Sequence, residues 1–116
     1  MSERDEKILL EHILGAIAQI EQYTSNLDYD AFIVNHLVQD GVVRQIEIIG
    51  EATKALPPEF TMRFFHVPWS DMAGMRDVLI HHYFDINLQV VWDTVHNNLP
   101  PLKQQLTDLL QSIQTA

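Results

Sequence analysis

The sequence predicts an all-α protein, a bundle of four to five antiparallel helices forming a single domain over residues 1–116. Three observations carry that expectation. Apolar residues recur at steps of three and four in every long segment, and prolines and capping residues punctuate the chain at short intervals. No stretch alternates apolar and polar residues as a half-buried strand would. A chain of 116 residues, 47% hydrophobic and 20% charged, has the length and composition to build one core without staples.

The elements follow in order. From Asp5 to about Tyr23, Leu9, Ile13, Ile17 and Ile20 line one helical face. Ser25 to Asp28 reads as a turn, and Tyr29 to about Val34 as a short helical entry, with a break near Asn35. Val38 to Ala55 repeats the stripe through Val42, Ile46 and Ile49 and stops at Pro57-Pro58. Glu59 to Phe65 has room for one or two helical turns, after which His66 to Trp69 should be extended, because the residue before a proline avoids the α region. Ser70 then suits an N-cap with Asp71 in the first turn, and Met72, Met75, Val78 and Leu79 face inward on a helix running towards His82. A fresh start at Asp85-Ile86-Asn87 leads into the stripe Leu88, Val91, Val95 and Leu99. Pro100-Pro101 should interrupt it, leaving Pro101 in the first turn of a last helix that buries Leu102, Leu106, Leu109 or Leu110, and Ile113.

Composition also bounds function. There is no cysteine, so disulfides, thiolate metal sites and a cysteine nucleophile are all excluded. The charged start, Met1-Ser-Glu-Arg-Asp-Glu-Lys, is not signal-like, and no apolar run reaches the length of about 18 residues a membrane span needs. A soluble, cytoplasmic protein is expected, with no membrane partner. The formal net charge of −9 repels polyanions on average. A protein of this charge that handles RNA needs its few arginines focused in one place.

Three sets of residues could carry chemistry. Six histidines invite a metal reading, but a carboxylate-bridged di-metal bundle needs two Glu-x-x-His motifs and the chain has none. His12, His36, His66 and His96 stand singly and read as surface or satisfied core residues, so no metal and no cofactor is expected. Asp40, Arg44, Glu47 and Glu51 fall on one face of the second long helix, a pattern that usually marks a solvated surface. Beside it, however, Gly50 sits in a helix at a cost of up to about 1 kcal/mol relative to alanine, which implies close approach by another element. The third set lies in Arg76 to Tyr83. On an ideal helix Arg76 and Tyr83 point about 20° apart, whereas His81 falls about 140° from Arg76. The three converge only if the helix ends near His81, or if a symmetry mate supplies a second copy. His81 and His82 are consecutive, so one should face the core and the other outward.

The order Arg-x-x-x-x-His-x-Tyr, filled by Arg76, His81 and Tyr83, resembles the signature of HEPN domains, in particular the HepT-like toxins of HepT–MntA pairs. Gln45 to Ala52, Val67 to Trp69, Gly74 to Tyr83, Val91-Trp92 and Asn98 to Leu102 resemble that group in order and spacing, so the likeness spans about residues 5 to 110. The resemblance implies a homodimeric helical bundle acting as a metal-independent endoribonuclease, the toxin of a type VII-like toxin–antitoxin pair. It implies that Arg76 and His81 are catalytic, and that Tyr83 is adenylylated by the partner nucleotidyltransferase, an MntA-like antitoxin. The residue after the arginine is typically asparagine in such a site and is Asp77 here. A negative charge beside a scissile phosphate suits orienting Arg76 or His81 better than touching RNA.

The residue types fit that chemistry. A histidine titrates near neutrality and suits general acid or base work, and an arginine offers a charged fork matched to phosphate oxygens. Two alternatives stand beside this reading. One is a non-catalytic helical partner of a nucleotidyltransferase that binds nucleotide or protein through the same cleft. The other is a plain interaction module in which Trp69, Trp92 and the Arg44–Glu51 stripe are interface.

Overall fold

The computed structural model describes residues 2–82 and 85–115, with residues 78–82, 85 and 115 described by their backbone alone. The expectation of a helical protein holds. Its long elements are α1 (Glu3–Thr24), α3 (His36–Ala55) and α8 (Leu99–Thr115). Shorter helices are α2 (Tyr29–Ile33), α4 (Pro58–Arg63), α5 (Trp69–Ala73), α6 (Met75–Leu79) and α7 (Leu88–Asp93). A two-stranded antiparallel ribbon, β1 (Ile80–His82) with β2 (Asp85–Ile86), is the local departure from all-helical structure.

Helix α1 begins where Ser2 caps it. The Ser2 hydroxyl accepts from the Asp5 backbone N–H at 3.3 Å and the Asp5 carboxylate accepts from the Ser2 backbone N–H at 3.3 Å, a reciprocal capping box. Those bonds to the Ser2 backbone and hydroxyl hold the Asp5 carboxyl below its ordinary value. The helix buries Leu10, Ile13, Ile17 and Ile20 against Val42, Ile46 and Ile49 of α3, and these side chains form the centre of the core. Leu10 is fully buried while Leu9 packs at the margin, so the buried stripe starts one residue later than the sequence reading put it.

Between α1 and α3 the chain turns through Asn26, whose φ of 65° is a left-handed conformation that asparagine tolerates better than most residues. Asp28 caps α2 through the Ala31 N–H at 2.8 Å, and Asn35 caps α3 through the Val38 N–H at 3.1 Å, which makes the expected break near Asn35 a helix start. Buried Gln39 reaches back from α3 to the Phe32 carbonyl at 2.9 Å and satisfies an acceptor at the end of α2.

Three expected boundaries move. Pro58 stands inside the first turn of α4, where its missing N–H costs nothing. Trp69 is the first residue of α5 rather than the last of an extended segment; Pro68 occupies the cap position, and Ser70 lies one residue inside the helix. The helix expected to run from Ser70 towards His82 divides at Gly74, glycine being a weak helix former, into α5 and α6.

The chain also carries its helix through Pro100-Pro101 instead of breaking there. Residues Thr94–Asn98 form a π turn between α7 and α8, in which the Leu99 N–H bonds the Thr94 carbonyl, five residues back. Proline has no N–H to give, and in an α-helix its ring strikes the carbonyl four residues earlier; the wider turn relieves the steric conflict. Asn87 caps α7 through the Val90 N–H at 3.1 Å, as its place after Asp85-Ile86 suggested. Leu99, Leu102, Leu106 and Leu109 then close the core, and Lys103 of α8 pairs with Glu21 of α1 at 3.0 Å.

Two measurements check this account. Replacing fully buried Ile46 with alanine should cost about 2–5 kcal/mol, read as a lower urea midpoint at unchanged slope. In an NMR pH titration, Ser2→Ala should return the Asp5 carboxyl upward towards its ordinary value. Because the folded-state value is depressed, the capping contribution is present above the unfolded-state value and lost as pH falls through the folded one.

Candidate functional site

The site is assembled where α6 rests on α3. Apolar packing sets the framework: Met72 of α5 is buried in the core and Met75 of α6 packs against it. A Cβ built on Gly50 of α3 would lie 3.3 Å from the Ala73 carbonyl oxygen and 3.6 Å from that of Met72. The close approach expected beside the polar stripe of α3 is therefore that of the end of α5. Gly50 is one helical turn from Glu47, and Ala73 is three residues before Arg76, so the contact fixes how near the two charged side chains come.

Arg76 is exposed on α6, and its Nε lies 3.8 Å from Oε2 of Glu47. Arg44 Nη1 lies 3.8 Å from the same Glu47 oxygen and 3.8 Å from Oε1 of Glu51. At this separation the contacts are ion pairs rather than hydrogen bonds. The Glu47 side chain, 29% exposed against 55% for Arg76, is the half-buried centre of the row. Two candidate sets that the sequence left separate, the stripe on α3 and the arginine on α6, thus meet at one carboxylate. Asp40 of the stripe is not in the row. Residue spacing alone could not join the sets, because it describes neighbours on one helix and not which second helix lies against them.

Asp77 is exposed beside Arg76, and its backbone N–H donates to the Gly74 carbonyl at 3.0 Å. Helix α6 ends at Leu79, so the backbone leaves the helix before His81, which lies in β1. In the ribbon Ile80 pairs with Ile86 and His82 with Asp85, with an irregularity between them at His81. The His81 side chain and Tyr83 lie outside the described residues.

The four scattered histidines stay apart, and among the described residues no three His, Asp or Glu side chains gather as a metal set. His96 stacks on Trp92 with ring centroids 4.0 Å apart and places Nδ1 2.9 Å from the Trp92 carbonyl. Trp92 also packs on Phe32 and Tyr29, and the Trp69 indole donates to the Phe64 carbonyl at 2.9 Å, so both tryptophans help hold the fold. A groove of about 570 Å³ at the end of α3 is lined by Thr53, Leu56, Met62, Phe65 and Trp69 among others, and neither Arg76 nor Asp77 lines it. Among the described residues no helix is long and apolar enough to cross a membrane.

A helical domain that carries Arg-x-x-x-x-His on the last turn of a short helix and the ribbon after it falls in the class of HEPN domains. Residues 13–109 match the HepT-like family, described as "Ribonuclease HepT-like", and the chain belongs to that family. It is 43% identical over 110 residues to a Methanocaldococcus jannaschii protein named "Gamma-glutamylcyclotransferase and putative RNase", covering 95% of this chain and 50% of that protein. The chain thus spans about half the length of that relative. It is 37% identical over 114 residues to a "Putative RNase" of the same organism, covering 98% and 94% of the two chains. It is 41% identical over 106 residues to the "Probable ribonuclease HepT" of Thermococcus cleftensis, covering 91% and 96%. No solved structure matches the chain.

Gly50→Val places a branched side chain against the Met72 and Ala73 carbonyls. It should cost about 1–3 kcal/mol in urea unfolding. It should also separate Arg76 from Glu47, detected as a changed Arg76 Nε–Hε resonance in the ¹H–¹⁵N spectrum.

Proposed function

We propose that this chain is a metal-independent endoribonuclease, the toxin of a type VII-like toxin–antitoxin pair, active as a homodimer and silenced by adenylylation of Tyr83. The observation that carries the reading is the family match over residues 13–109, which includes the whole Arg76–Tyr83 segment. The exposure of Arg76 and the end of α6 before His81 are compatible with it.

In this mechanism His81 removes the proton of the ribose 2′-hydroxyl, whose oxygen attacks the adjacent phosphorus. The P–O5′ bond breaks, leaving a 2′,3′-cyclic phosphate, and the 5′-oxygen takes a proton from the second histidine, supplied by the other subunit. Arg76 stabilises the charge that gathers on the phosphoryl oxygens, for which a permanently protonated, planar fork is suited. Asp77 orients Arg76 or His81. Paired sites across a two-fold cleft concentrate positive charge on a protein of net charge −9. A histidine acid and base together with an arginine supply every proton and charge the reaction needs, which supports chemistry without a metal.

Tyr83 is the regulatory residue. An MntA-like nucleotidyltransferase antitoxin joins the tyrosine oxygen to the α-phosphorus of a nucleoside triphosphate and releases pyrophosphate. The attached AMP brings bulk and a negative phosphate to the place where RNA phosphate must come, so exclusion and repulsion act together.

Purified wild type should degrade total RNA in the presence of a chelator. Arg76→Ala and His81→Ala should each lose about 10²-fold or more, while Arg76→Ala shifts stability by less than about 1 kcal/mol. Equal cleavage by all three proteins would sink the nuclease reading and leave the non-catalytic partner. After co-expression with an MntA-like nucleotidyltransferase, intact-mass and peptide spectra should show AMP on Tyr83; an unmodified Tyr83 would remove the regulatory part.

A further inference from the structure

We infer that Glu47 is a positioning residue for Arg76, holding the guanidinium by its Nε edge so that both Nη groups are left for the RNA phosphate. The inference rests on the proposed nuclease reading. It adds a residue to that site which the Arg-x-x-x-x-His motif does not contain.

The geometry favours this role over a stabilising one. Exposed ion pairs contribute about 0–1 kcal/mol, so the 3.8 Å contact does little to keep α6 on α3, which the buried Met72 and the close approach at Gly50 already do. What such a contact can do is choose a rotamer. An arginine side chain carries about 2 kcal/mol of rotamer entropy, and a fork oriented before substrate arrives does not lose that freedom at the phosphate.

The two partners differ in the way a support and its load should. Glu47 stands on a helix of 20 residues between the fully buried Ile46 and the half-buried Ile48, whereas Arg76 stands on a helix of five. Arg44 holds the same Glu47 oxygen from the other side and also spans to Glu51, which restricts the carboxylate further. Glu47 faces two guanidinium groups, those of Arg44 and Arg76, so its carboxylate does not stand uncompensated beside the phosphate.

A contact at Nε also leaves the chemistry intact. A guanidinium can give one edge to a carboxylate and another to a phosphate, so RNA need not displace Glu47 in order to bind.

The test is a double-mutant cycle on cleavage of a single-stranded oligoribonucleotide by wild type, E47Q, R76K and E47Q/R76K, with R76A as control. E47Q should lower kcat about 3- to 5-fold, with KM within about twofold and the melting temperature unchanged. Lysine has no Nε edge to hold, so adding E47Q to R76K should lower kcat less than about twofold further. An unchanged kcat in E47Q, a gain of activity, or the same loss in both backgrounds overturns the inference. If R76K falls below detection, the order parameter of the Arg76 Nε–Hε group decides: it should drop in E47Q, and an unchanged value overturns the inference. R76A separates this failure from that of the parent reading, since a fully active R76A removes the nuclease proposal whatever E47Q does.

Discussion

A missing side chain governs how this molecule presents its charges. Gly50 lets the carbonyl ends of α5 come to within van der Waals contact of the α3 backbone, and α6 follows directly from that contact. A Cβ there would already lie closer to the Ala73 oxygen than most side-chain contacts allow. The cost of a glycine inside a helix is small beside the burial of Met72 and its neighbours, so the packing prevails. The charged row Arg44–Glu47–Arg76 is a consequence of that packing and contributes little to it.

This ordering of causes separates the charged row from what holds the fold together. The core of α1, α3 and α8 is aliphatic and built from buried leucine, isoleucine and valine, with no unsatisfied buried side-chain polar atom among the described residues. Such a core supports a surface whose ion pairs need supply no stability of their own. Long charged side chains held by one another can then be oriented for a ligand, and the bundle beneath does not depend on whether they let go.

Much of the fold was legible because periodicity reports burial directly. Ile13, Ile17, Ile20, Val42, Ile46, Ile49, Val91, Val95, Leu102 and Leu106 are buried as their spacing required. The break near Asn35 and the start at Asn87 were legible, and each is a side-chain oxygen that caps a free N–H. The misplacements share a physical origin in backbone hydrogen-bond geometry, which apolar spacing does not report. Gly74 divided what the apolar stripe joined, and Pro100-Pro101 was absorbed where a break was expected. Of the candidate site, the close approach at Gly50 was legible from the cost of a glycine inside a helix, and Arg76 and Asp77 were picked out by the motif alone. The pairing of Arg76 with Glu47 was not, because it is a relation between residues 29 apart in the chain on two different helices.

The π turn before the prolines has a bearing on the whole carboxy-terminal third. An α-helix repeats about every 3.6 residues, and one wider turn delays the winding by nearly a whole residue, much as a spacer shifts one half of a threaded rod against the other. At ordinary pitch Val91 and Leu106 would stand about 60° apart, and the wider turn at Thr94 to Asn98 rotates the second half back past the first while both residues stay buried. The segment thus re-phases two halves of one continuous rod, and the breadth of the apolar face on either side lets both halves keep their grip on the core.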